Sequence, residues 1–395
     1  MALAQVDGFD DGTACEQRPL VVHVVRQFRP DHSGAEDLVL NLCRQLLARR
    51  YRVRVVTCDS LADNAPLAHD GFDGIEIVRI PWFGSRRYPA APQVFRHIAD
   101  ADLVHVHDAG FFFDALAWGR LLHRRPMIAT TQSRFAPSNE RGVLTRLLPR
   151  LANRIACHAY QRLICSRPSD YRLLEPIAGD RATLIENGAD VAKFASCAAL
   201  DPRRRIIAMG RLSADERLER LLGAMQALAP RHPDWHLDII GAPGGLDRPT
   251  LEAEIRSRGL SRHVSVHLSL DDGAIRNLIA RASLFASASD DATGGRLAVE
   301  AMSAGLLPVL HDNDCFRALA DAHPALTLTD FSIAHRAASS LEAALQQLAT
   351  EGGAVRETLI RESRRHAWER VAERYIAAYD DVLLADHRPR QDRRA

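Results

Sequence analysis

From residue 20 onward the chain alternates short, unbroken apolar runs with stretches whose apolar positions recur at helical spacing. Leu20–Val25 is β-branched almost throughout and does not alternate, the pattern of a strand buried on both faces of a parallel sheet. After a polar loop, Leu38, Leu42, Leu46 and Leu47 mark the apolar stripe of a helix. Further strands are predicted at 53–57, 75–80, 103–107, 127–131 and 162–166, with helices over 94–99 and from Pro168. The alternation resumes with strands at 206–209, 237–240, 264–268, 284–286 and 307–310, each followed by helical periodicity. Such regularity predicts a doubly wound parallel α/β sheet, and its repetition predicts two Rossmann-like domains with a ligand cleft between them. The polar stretch through Pro202 and Arg203–Arg205 reads as the linker. The organisation expected is a flexible N-terminus (1–18), a first domain (19–198), a second domain (199–360), a terminal helix (361–385) bearing Trp368, Val371, Tyr375 and Tyr379, and a disordered polar tail (386–395).

The most informative stretch is 287–305. The apolar run Leu284–Ala286 stops at small polar residues, Gly294 and Gly295 form a turn, and Leu297, Val299, Ala301 and Met302 resume at helical spacing. A glycine turn before a helix is often simple punctuation. It is also a ready cradle for a diphosphate, since the first-turn N–H groups and the positive end of the dipole face whatever lies over it. Glu300 then falls about one and a half turns into the helix, where a carboxylate can accept hydrogen bonds from a ribose diol.

The phrase Ala298-Val-Glu-Ala-Met-Ser-Ala-Gly305-Leu-Leu-Pro-Val resembles the donor-site signature of family-4 glycosyltransferases, which have the two-Rossmann GT-B fold. In that signature one Glu precedes a second by eight positions; the second is Glu300, and the first would be Ala292. Asp290 and Asp291 lie beside it, and Asp291 is the residue expected to take over the lost carboxylate's contact with the donor sugar. Gly210-Arg211-Leu-Ser resembles the family's turn in which an Arg and a Lys five positions on clamp the donor diphosphate. Arg211 fits; the Lys position is Glu216, with Arg217 beside it as the candidate replacement. The resemblance thus implies Arg211 and Asp291 at the reacting centre, with Gly294, Gly295, Arg296, Leu297, Glu300 and Arg217 on the donor.

In the first half, Ser33 and Gly34 occupy the place of the family's glycine-rich loop, with Ala35 in place of a second glycine. The strand ending in Thr131 finishes in the resembled enzymes in a Thr-His pair whose His lies near the transferred sugar; Thr131 stands in its place and can neither act as a base nor carry charge. His107 and Asp108 follow a strand's carboxyl end, so His107 is either an acceptor contact or a structural hydrogen-bonding group. Phe111–Phe113 reads as an aromatic plug against the core, with Asp114 after it on the acceptor side. The stretches 80–89 and 105–114 are similar to passages of bacterial exopolysaccharide α-mannosyltransferases of the xanthan and acetan kind. Asn187 and Gly188 match the family's Asn-Gly turn between the domains, and the family's terminal helices cross back onto the first domain.

Composition narrows the picture. With 395 residues, 47% of them hydrophobic, the chain fills two cores, and a net charge of +1 argues against a general nucleic-acid binder. Charge is uneven: between Asp114 and Asp170 ten arginines, from Arg120 to Arg167, face the single acid Glu140. That basic arc suits anionic lipid or is a solvated face. The seven cysteines stand singly, without CxxC pairs, as expected of reduced thiols in a cytosolic protein. Acidic residues in the first eighteen positions argue against a signal peptide, and no apolar run is long enough to span a membrane. Two functions follow from the resemblance. One is a retaining, metal-independent hexosyltransferase that moves a mannose-like sugar from a GDP- or UDP-linked donor to a lipid-linked oligosaccharide. It would lie in the cytoplasm or on the inner face of the membrane. The other is a catalytically silent GT-B protein that binds a glycan, a nucleotide or a partner enzyme, suggested by the joint loss of chemistry at Ala292, Thr131 and Glu216.

Overall fold

A computed structural model describes residues 18–28, 34–58, 70–85, 88–107, 110–131, 155–290 and 294–387. The chain divides into two units, 1–186 with 372–395, and 187–371.

The first unit holds an eight-stranded sheet in the order β10-β9-β8-β7-β1-β2-β4-β3. Its central strands are β1 (Leu20–Val25), β2 (Arg52–Cys58), β4 (Ile75–Ile80), β7 (Leu103–His107), β8 (Met127–Thr131) and β9 (Arg162–Cys165). β3 (Asp70–Phe72) pairs antiparallel with β4, and β10 (Ala182–Leu184) extends β9 in parallel. The predicted central strands are therefore present, and the stripe Leu38, Leu42 and Leu46 is buried on the helix Gly34–Ala48. Sequence periodicity missed β3 and the hairpin of β5 (Phe83–Ser85) and β6 (Tyr88–Ala90), because three-residue strands offer too few alternations. The helix expected over 94–99 is a single turn, Val94–His97.

A polar cluster lies inside this apolar unit. His23 on β1 is in register with His105 on β7, and both are 0% exposed. His105 Nε2 lies 2.7 Å from Thr130 Oγ1 and Nδ1 2.7 Å from Tyr379 Oη, while His23 Nδ1 lies 2.9 Å from His107 Nε2. Ligand nitrogens of the three lie within 4.8 Å of one another, a spacing that a metal could bridge. Against that use, both His105 nitrogens already have hydroxyl partners, His23 and His107 bond each other, and among the described residues no carboxylate joins the cluster to balance a buried dication. Burial lowers all three pKa values, His23 to about 3, so the cluster is a neutral hydrogen-bonded core.

The second unit carries a six-stranded parallel sheet, β13-β12-β11-β14-β15-β16. Its strands are β11 (Arg205–Arg211), β12 (His236–Ala242), β13 (Val264–Leu268), β14 (Leu284–Ser287), β15 (Leu307–His311) and β16 (Thr327–Thr329). Strand order reverses between β11 and β14, so the crevice where such sheets bind ligands lies beyond Arg211 and Ser287.

The unit boundaries differ from the expected 198/199 and 360/361. Residues 187–198 belong to the second unit because Phe194, 1% exposed, sits in its core, and Ser196 N and Ala198 N donate to Ser303 O and Ala304 O. Losing a phenylalanine buried in this way costs about 3–5 kcal/mol, enough to fix where the segment packs. At the other end a 30-residue helix, Ala334–Ser363, leads into the helix Trp368–His387. His323 Nδ1 bonds Glu362 Oε2 at 3.0 Å, which keeps 361–371 with the second unit. From Ala372 the last helix joins the first unit, burying Tyr375 and Tyr379 and pairing Asp380 with Tyr51 and Asp381 with Arg162.

Candidate active site

Gly294 opens the helix Gly294–Ala304, and Ala298, Val299, Ala301, Met302 and Ala304 bury its inner face. Gly305 ends it with φ +88°, a left-handed turn that glycine takes without steric cost. Its N–H donates to Met302 O, while Leu306 N donates to Ala301 O. The strand, turn and helix read from sequence are thus in place, with the helix start at the carboxyl edge of β14. Asp291 and Ala292 lie outside the described residues, as do Ser33 and Asp108.

Glu300 is 3% exposed. Burial raises its pKa, opposed by the charges of Arg296 and Lys193, and Arg296 Nη1 lies 3.0 Å from its Oε1. The Asp190 main chain also bonds this carboxylate, so the Asn187–Asp190 turn lies beside the donor motif. The turn is itself tightly held. Ala189 N donates to His366 O at 2.8 Å, and a Cβ on Gly188 would come within 2.5 Å of the Trp368 ring, so only glycine fits. Asn187 Oδ1 is buried without a hydrogen-bond partner.

Arg211 ends β11 exposed, and it lines one recess with Gly210, Glu216, Ser287 and Ala288. Glu216 is folded over the strand end, where a Cβ on Gly210 would meet its carboxylate at 2.8 Å. Arg217, expected on the donor phosphates, is paired with a carboxylate of its own unit. Its Nε donates to Asp290 Oδ2 at 2.6 Å, and Arg220 Nη1 bonds Asp290 Oδ1 at 2.7 Å. Burial alone would raise the Asp290 carboxyl, but the two arginines outweigh it and hold it below the usual carboxylate range. Arg217 also adopts φ +50° at the start of the helix Leu218–Leu228, a left-handed conformation that costs a non-glycine residue about 1 kcal/mol. Sequence reading missed Arg220 because its partner is 70 positions away. It also missed His311 and Asn313 at the end of β15, where Asn313 Nδ2 donates to Ser289 O.

In the first unit, His107 is 2% exposed and its Nε2 lies 2.9 Å from His23 Nδ1, a contact that suits a structural group. Thr131 is buried, and its carbonyl accepts from Ser166 Oγ at 2.9 Å. Asp114, in the first turn of the helix Phe111–Trp118, accepts from Tyr88 Oη at 2.8 Å, and burial raises its carboxyl. Phe112 and Phe113 are core residues, as expected of an aromatic plug.

Residues 32–193 match the family described as Glycosyltransferase Family 4, and residues 193–366 match Glycosyl transferases group 1. The chain is 36% identical over 368 residues to the GDP-mannose:cellobiosyl-diphosphopolyprenol alpha-mannosyltransferase of Xanthomonas oryzae pv. oryzae, covering 92% of this chain and 97% of that one. A protein of the same description from Komagataeibacter xylinus is 34% identical, with 92% and 93% covered. Among solved structures, Anabaena Alr3699/HepE in complex with UDP superposes with a TM-score of 0.72 at 17% identity, covering 92% of this chain and all of that one. Sucrose-phosphate synthase from Thermosynechococcus elongatus gives 0.72 at 16%, with 93% and 100% covered. At such identities these likenesses speak for the fold alone. On the sequence kinship and the two parallel-sheet units together, the chain belongs to the family-4 glycosyltransferases of the GT-B fold.

Proposed function

We propose that this protein transfers mannose, with retention, from GDP-mannose to a cellobiosyl-diphosphopolyprenol acceptor during exopolysaccharide synthesis. The observation that carries the reading is the 36% identity spread over 97% of a relative described by that reaction, with Arg211 and the Gly294 helix at the crevice edge of the second sheet and Glu300 buried on that helix. In this reading Glu300 accepts hydrogen bonds from the ribose diol, and the head of the helix faces the diphosphate. Arg211 neutralises charge that builds as the nucleotide leaves, so no metal is needed for that task. Asp291 takes the donor-sugar contact that Ala292 lacks.

A lipid-linked acceptor calls for a surface at the membrane. No described helix is long and apolar enough to cross one. Trp118, Leu121 and Leu122 are nevertheless 61%, 85% and 86% exposed, next to Arg120, Arg124 and Arg125. This apolar and cationic edge is the start of the basic arc, whose residues 132–154 lie outside the described ones. We place the protein peripherally on the inner leaflet through this edge.

A second reading, a donor-binding protein without turnover, is favoured by Glu216, whose negative carboxylate lies where the resembled enzymes keep a cation. Incubating the purified protein with labelled GDP-mannose and UDP-glucose, with and without lipid extract, separates the two. Transfer of mannose to lipid supports the enzyme, and nucleotide binding without transfer supports the silent reading.

A further inference from the structure

Arg217 and Arg220 converge on one carboxylate at the carboxyl edge of the second sheet. Arg217 Nε lies 2.6 Å from Asp290 Oδ2 and Arg220 Nη1 2.7 Å from Oδ1, while His311 Nε2 stands 3.8 Å from the same Oδ1. One planar anion is thus shared between two guanidinium groups, an arrangement that phosphate oxygens satisfy equally well. The anion's backbone is pinned, since Asp290 N and Ser289 Oγ both donate to Asp215 O. The side chains remain open to solvent, at 42% for Arg217, 22% for Arg220 and 39% for Asp290. Arg217 holds a left-handed backbone that suits glycine, and strain of this kind is kept where the side chain has a task.

We propose that Arg217, Arg220 and His311 form the anion-binding set for the donor diphosphate, and that Asp290 is a built-in competitor that fills the set until the donor arrives. The proposal rests on the nucleotide-sugar reading above. A diphosphate, with more negative charge than one carboxylate, displaces Asp290 from the arginines. The set thereby replaces the cation missing at Glu216. It also makes diphosphate affinity the outcome of a competition, while nucleoside binding is left untouched.

Calorimetry on the full-length chain with GDP, guanosine and inorganic pyrophosphate tests this, with circular dichroism to confirm the fold. Asp290→Asn keeps the shape of the side chain and removes its charge. Arg217→Gly removes the guanidinium and fits the φ of +50°. The expected result is GDP and pyrophosphate bound at least threefold more tightly by Asp290→Asn and at least fivefold more weakly by Arg217→Gly and Arg220→Gln, with guanosine unchanged throughout. If Asp290→Asn weakens GDP as the arginine variants do, Asp290 positions the site and the competitor is rejected. If wild type binds GDP and none of the three variants alters it, the anion set is rejected while the nucleotide reading stands. If neither GDP nor UDP binds to wild type or any folded variant, the nucleotide reading fails and the proposal with it.

Discussion

Lowering the pH from 7.5 to 5.0 should unfold the first unit through its buried histidines. His23, His105 and His107 are all held neutral, with pKa values below the ordinary 6.5 and His23 at about 3. Their folded values are depressed, so below pH 6.5 the unfolded chain binds more protons than the folded one, and stability falls as pH falls. For His23 the loss between pH 7.5 and 5.0 is about 2 kcal/mol, taking about 1.4 kcal/mol per pH unit below the unfolded pKa. His105 and His107 are shifted the same way and add to this loss. Among the described residues, Thr130, Tyr375 and Tyr379 pack against the cluster, and they carry no charge in this range to offset the loss. Asp100, whose carboxyl is depressed by its bond to Arg54, contributes only at lower pH. Urea unfolding followed by hydrogen exchange of the strands Leu20–Val25 and Leu103–His107 reads this unit directly. The expected result is a midpoint that falls steeply below pH 6.5, with a shallower slope in His23→Gln. A loss under about 1 kcal/mol by pH 5.0, or a wild-type slope unchanged in His23→Gln, would refute the account of a neutral buried cluster.

Glu300→Gln should weaken GDP by roughly tenfold or more, since a hydrogen bond to a charged group contributes about 1.5–3 kcal/mol, and calorimetry checks it. Gly188→Ala should lower the melting temperature of the second unit, with overpacking against Trp368 costing about 1–3 kcal/mol, as calorimetric scanning would show. Glu216→Lys should leave donor turnover unchanged or lower it, because Arg217 and Arg220 already hold the diphosphate; a severalfold rise would show that they do not. Leu121→Asp with Leu122→Asp should abolish flotation with anionic liposomes while leaving GDP affinity unchanged, and flotation that persists would place the membrane contact elsewhere.

The strands were legible because a parallel sheet buried on both faces writes itself as continuous apolar runs, as in Leu20–Val25 and Leu307–His311. The turn and the helix start were legible because Gly294 and Gly295 directly precede the helical spacing of Leu297, Val299, Ala301 and Met302. The Arg217–Asp290–Arg220 cluster was not, since an ion pair across 70 residues leaves no local pattern. His107 looked equally suited to ligand and structure, because its partner His23 comes from another strand 84 positions earlier. The unit boundary was misplaced for a related reason. Residues 187–198 are polar enough to read as the end of one domain, and only the burial of Phe194 shows which core they join.

The most direct test of the proposed reaction uses radiolabelled GDP-mannose, a synthetic cellobiosyl-diphosphopolyprenol and purified protein, with the product's anomeric linkage read by NMR. The account predicts one mannose added per acceptor in α linkage, with transfer lost in Glu300→Ala and no transfer from UDP-glucose. Protein that binds GDP yet leaves the acceptor unmodified, or that adds the sugar in β linkage, would contradict it.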